Sequence, residues 1–135
     1  MNKTAKIILL YWLPTILWMG LIFYLSSIPD LKTNLGTWDT ILRKGAHAFE
    51  FAILLLLAFR AFRESQLKPM SAIGFAFALS SLYAISDEIH QIFVAKRVGS
   101  PLDVGIDILG ILLMALIIWI FYRRIEAKKI GQKLE

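Results

Sequence analysis

Residues 7–27 read IILLYWLPTILWMGLIFYLSS, a run of 21 positions without one charged side chain. As a helix rising 1.5 Å per residue, this run covers the roughly 30 Å hydrocarbon core of a bilayer, so it is expected to be a membrane span. Its length and the lack of a small-x-small exit predict a retained span and not a cleaved leader. Pro14 is expected to give only a gentle kink, because neighbouring groups in a membrane bundle can satisfy the carbonyl that proline frees. Trp12 and Trp18 read as apolar bulk.

The rest of the chain agrees with that run. Its 135 residues are 58% hydrophobic with a mean hydropathy of +0.66, well above the roughly 45–50% apolar content of soluble domains. The expectation is an all-α membrane protein of a single domain, 1–135. With no cysteine, disulfides, thiol nucleophiles and thiolate metal sites are excluded.

Working outward, Ser26-Ser27-Ile28-Pro29-Asp30 closes the first span, and a polar loop should run on to Asp39. Three more spans are predicted, at about 41–62, 70–93 and 103–122, to form a compact bundle of four with the first at about 7–28. The clean apolar part of the second, Phe51 to Phe59, covers only about 13 Å. The turn carrying Arg43, Lys44, His47 and Glu50 must therefore belong to the crossing helix. A short loop from Val94 to Leu102 precedes the last span, and the basic tail from Arg123 is expected to fray.

Lysines and arginines set the orientation. With the N-terminus inside, the inner segments hold ten of them (Lys3, Lys6, Arg60, Arg63, Lys68, Arg123, Arg124, Lys128, Lys129, Lys133) and the outer ones five, which favours N-in, C-in. Topology thus accounts for the net charge of +5, and no nucleic-acid partner is called for.

That orientation gathers polar stripes at one surface. Arg43, His47 and Glu50 follow helical spacing on span two, with Lys44 beside them. Asp87 and Gln91 do the same on span three, extended inward by Ser80 and Tyr83. Asp103, Asp107 and Gly110 form the stripe of span four, where Gly110 would admit a neighbouring helix. Ser26 and Ser27 can rim the shared pocket from span one. Bland readings stand beside this: Arg43 and Lys44 as snorkelling anchors, Asp103 as a helix N-cap, Glu88 paired with Lys96 or Arg97 at the rim, His90 as an interfacial aromatic. Glu50 and Asp107 lie too deep for such readings, and each needs a cation or a proton.

These residues resemble a known pattern. Arg43-Lys44 with His47 and Glu50, Asp87-Glu88-x-His90-Gln91-x-Phe93, and Arg97-x-Gly99-Ser100-x-x-Asp103-Val104-x-x-Asp107-x-x-Gly110 resemble the VanZ-like family, as does Ser26-Ser27-x-Pro29. These are small bacterial membrane proteins named after a teicoplanin-resistance protein. The resemblance implies a multi-pass protein of the bacterial cytoplasmic membrane and a link to glycopeptide tolerance. Two positions depart from the family: Ala95-Lys96 stands where Pro-Gly is frequent, and Phe51 where Tyr is common.

Three functional readings are open at this point. In the first, Arg43, Lys44 and Arg97, with Glu88, Gln91, Ser100, Asp103 and Asp107 around them, hold an anionic lipid or lipid-linked wall precursor at the extracytoplasmic face. In the second, an enzyme acts on such a head group, with Glu50 or His47 as base, Asp87 or Glu88 as acid or metal ligand and Arg97 as transition-state clamp. Paired carboxylates plus His also suit a divalent cation, the oxygens magnesium or manganese and the His zinc. The third is an ion-pair network that only holds the helices together. No H-E-x-x-H or comparable spacing assigns a metal, and neither a cofactor nor an oligomeric state is legible.

Overall fold

A computed structural model of the chain describes residues 2–29 and 36–134. Four helices follow in order: α1 (Lys3–Ser27), α2 (Thr37–Glu64), α3 (Pro69–Ile92) and α4 (Pro101–Leu134). Helix makes up 87% of the described residues, among which no strand occurs. All four helices are long and apolar enough to cross a membrane. Most of the expected Asp30–Asp39 loop, residues 30–35, lies outside the described residues.

Each helix turns one stripe inward. On α2 the buried set Phe51, Leu54, Leu55, Ala58, Phe59 and Ala61 recurs at three- and four-residue steps, the spacing of one helical face. This helix forms the centre of the bundle, packed against the other three. The inward stripe of α3 is small, Ala72, Ala76, Ser80 and Ala84, and ends in Asp87, Glu88 and Gln91. Small side chains let backbones approach closely where lipid offers no hydrophobic drive between helices. From α4 come Asp107, Gly110, Ile111 and Ile118, and from α1 Thr15, Ile22 and Ser26. Many of the other large apolar residues, such as Leu17, Leu82, Leu113 and Ile117, face outward, as a lipid-exposed surface requires.

Three features differ from expectation. The backbone widens into a π-helical turn over Ile8–Trp12, directly before Pro14, so the ring that would strike a carbonyl one turn back meets a loosened turn. Helix α4 does not fray at Arg123 but continues to Leu134, because the Arg, Glu, Ala and Lys residues there are strong helix formers. It also begins at Pro101, two residues before the expected start, with the Ser100 hydroxyl accepting the Leu102 amide at 3.2 Å. Ser100, and not Asp103, thus caps α4, since a side-chain oxygen at the cap reaches the amides of the first turn.

The α3–α4 connection clarifies the Ala95-Lys96 departure. Lys96 has φ of +62°, the left-handed conformation that glycine adopts freely and other residues only at a cost of about 1 kcal/mol. Here a lysine takes the backbone conformation that a glycine would take without strain.

Candidate functional site

At the end of the bundle bearing the 93–100 connection, α2, α3 and α4 bring their ionisable residues together. Close approach is what allows it. A Cβ on Gly110 would overlap the backbone of Ala48, with the Ala48 carbonyl carbon at 2.8 Å, so α4 lies directly against α2 one residue from His47. Gly99 is similarly confined by the Glu88 backbone and the Ile92 side chain.

Asp87 is 3% exposed, and its Oδ2 accepts hydrogen bonds from the Ser26 hydroxyl (2.8 Å) and from Gln91 Nε2 (2.9 Å). Glu88 accepts the Ser100 backbone N–H on Oε2 (3.0 Å) and Gln91 Nε2 on Oε1 (3.2 Å). Gln91 in turn accepts from Arg97 Nη1 at 3.2 Å, so one amide links two acids to a guanidinium. Asp107 is 1% exposed, yet neither of its carboxylate oxygens has a hydrogen-bond partner among the described residues; the same holds for Asp87 Oδ1 and His47 Nδ1. His47, Glu88 and Asp107 each place one ligand-capable atom within 4.8 Å of the others.

Arg97 has a second occupation. Its Nε donates to the Ile28 carbonyl and its Nη2 to the Leu25 carbonyl, both at 3.0 Å. These carbonyls belong to the last turn of α1, where helix carbonyls lack intrahelical partners. Burial, followed by the like charge of Arg43, pulls its pKa below the usual value, while Asp87, Glu88 and Glu50 push it back up. A guanidinium stays charged under these influences.

The other expected residues divide. Lys44 pairs with Asp103 at 2.5 Å, both partly exposed. Glu88 does not sit at the rim, where one reading pairs it with Lys96 or Arg97: it is 6% exposed, and the Ser100 amide folds back onto its carboxylate. Arg43 and Glu50 are half-buried and act electrostatically on Arg97. His90 stands apart, stacked on Phe23 (4.3 Å between centroids) and hydrogen-bonded to Ser27 Oγ at 3.0 Å. Phe51, fully buried, lies between the His47 and Tyr83 rings.

Sequence reasoning missed two positioning groups. Trp18, read as bulk, donates its indole N–H to the Glu50 carbonyl at 2.9 Å. Tyr83, placed on the α3 stripe, donates its hydroxyl to the Met19 carbonyl at 2.7 Å. Buried tryptophan and tyrosine need such partners, but their identity depends on how α1 lies on the bundle.

A groove of about 250 Å³ lies beside the cluster between α3 and α4, lined by Ile85, Ile89, Ile92 and Val104 together with Glu88 and Ser100.

The model of one protein family, described as VanZ/LLP1, matches residues 11–122. The chain belongs to the VanZ/LLP1 family. No curated protein and no solved structure matches it. The matched region of this VanZ/LLP1 protein contains every residue of the cluster, from Ser26 to Gly110, and omits only the start of α1 and the last turns of α4.

Proposed function

We propose that this protein of the bacterial cytoplasmic membrane binds the phosphate-bearing head group of a lipid or lipid-linked wall precursor. In this reading both termini are cytoplasmic and the cluster opens on the extracytoplasmic side. The observation that carries it is the junction of two environments: a mostly apolar groove that is also lined by Glu88 of the buried polar cluster and by the partly buried Ser100 bonded to it. Such a junction suits an amphiphile, with hydrocarbon along Ile85, Ile89 and Ile92 and a head group turned toward the polar residues. Arg43 and Lys44, with the unused donors of Arg97, supply the cations for a phosphate. The resemblance to proteins named for teicoplanin resistance supports a role in glycopeptide tolerance, exerted by sequestering or shielding such a precursor.

A second reading, an enzyme acting on the same head group, is favoured by the grouping of His47, Glu88 and Asp107 with Asp87 beside them. There, Glu50 or His47 would take a proton and Asp87 give one. Incubating the purified protein in nanodiscs with labelled anionic lipid or lipid-linked glycan, with and without EDTA, separates the two. Retention without turnover, weakening as salt rises, is the expected result. EDTA-sensitive turnover would establish the enzyme, and neither retention nor turnover would refute both readings for those ligands.

A further inference from the structure

We propose that His47, Glu88 and Asp107 form a binding site for a divalent first-row transition-metal ion. Three helices contribute one group each: His47 from α2, Glu88 from α3 and Asp107 from α4, with ligand-capable atoms within 4.8 Å of one another. In a tetrahedral site with bonds of about 2.1 Å, two ligands stand about 3.4 Å apart. Side-chain shifts of up to about 1 Å therefore close the three groups on an ion.

The unpartnered atoms argue for a ligand and not merely for acidity. Asp107 is 1% exposed, and both of its oxygens lack a hydrogen-bond partner among the described residues, as does the buried His47 Nδ1. Buried polar atoms without partners are costly and rare. A proton on Asp107 would remove its charge but add a donor that also needs an acceptor. An ion satisfies Asp107 and His47 together.

Charge and chemistry narrow the class. Neutral His47 with ionised Glu88 and Asp107 carries two negative charges, which a divalent ion offsets. Imidazole disfavours magnesium and calcium, which take oxygen ligands, and the absence of thiolate disfavours the soft metals. Manganese, iron and zinc fit a mixed nitrogen and oxygen set. The site is also held from outside. Glu88 is oriented by the Ser100 N–H and Gln91, and Gln91 by Arg97, the kind of outer contact that fixes a ligand's direction. Three protein ligands leave a coordination position open. Its use by a lipid phosphate rests on the head-group reading above, and the ion site itself does not.

The test uses the full chain in nanodiscs, stripped with EDTA and titrated with Zn²⁺ or Mn²⁺. Bound metal is measured by mass spectrometry, Mn²⁺ also by electron paramagnetic resonance, and thermal stability is followed in parallel. Saturable, EDTA-reversible uptake of about one ion per chain is expected, with a rise in melting temperature, since a ligand that prefers the folded state stabilises it. Asp107→Asn and His47→Ala should each weaken uptake by at least about tenfold, while Glu64→Gln leaves it unchanged. No saturable binding by the folded wild-type chain would overturn the site, and that outcome does not depend on any variant folding. Uptake untouched by both substitutions would also overturn it. Labelled lipid in the same samples keeps the readings apart: retention without metal uptake leaves the head-group reading and removes the ion, and uptake without retention does the reverse.

Discussion

Arg97 shows how one side chain serves two purposes. Its Nε and Nη2 end the first helix by bonding the Ile28 and Leu25 carbonyls, and its Nη1 steadies Gln91. A lysine keeps the charge but has no planar fork to span these acceptors. Arg97→Lys should therefore lower unfolding stability by about 1–2 kcal/mol, after allowance for solvent at a half-exposed position. Thermal unfolding in detergent measures this, and unchanged stability would show that the tether is idle. Sequence identified Asp87 and Asp107 because ionisable groups inside apolar helices have no cheap explanation, Gln91 because it lies four residues from Asp87 on the same face, and Arg97 as a cation in the adjoining loop. It could not identify the acceptors, since a backbone carbonyl carries no signature. Nor did it separate Glu88 from the rim: that depends on how Ser100 turns back over α3.

At the scale of the elements, the decisive contact is Gly110 of α4 against Ala48 of α2. An added methyl would meet the Ala48 backbone, which cannot rotate aside. Gly110→Ala should separate the two helices and cost about 2–3 kcal/mol, as overpacking of a tight contact does. Gly105, on the same helix, has open space around its Cβ position, and Gly105→Ala should be neutral or mildly stabilising by helix propensity. Equal stabilities for the two variants would show that the close approach does not hold the helices together. The helices themselves were legible because apolar length is a strong signal. Their ends were less so: the Pro101 start of α4 turned on one serine cap, and its continuation past Arg123 on local propensity, which a hydropathy reading does not weigh.

For the whole molecule, the proposed orientation can be tested at two exposed positions. Val98 in the α3–α4 connection is 83% exposed, and Lys68, at the opposite end of the bundle, is also exposed. Val98→Cys should react with an impermeant thiol reagent on intact cells, and Lys68→Cys only after permeabilisation. The opposite pattern would reverse the topology. Position 99 is unsuited to such labelling, because any Cβ there meets the Glu88 backbone.

At the end remote from the cluster, arginines lie over aromatic rings: Arg60 over Tyr11, Arg63 over Tyr122 and Arg123 over Trp119. Amphipathic rings and long cations settle where lipid heads meet hydrocarbon, so these pairs are suited to moor the bundle at that level. From Tyr122 back to Asp107 the helix rises about 22 Å, against a hydrocarbon core of about 30 Å. Moored in this way, Asp107 rides about 8 Å short of the far head groups. How easily anything reaches it then depends on the thickness of the surrounding membrane: a thin bilayer lifts the cluster toward water, and a thick one drowns it.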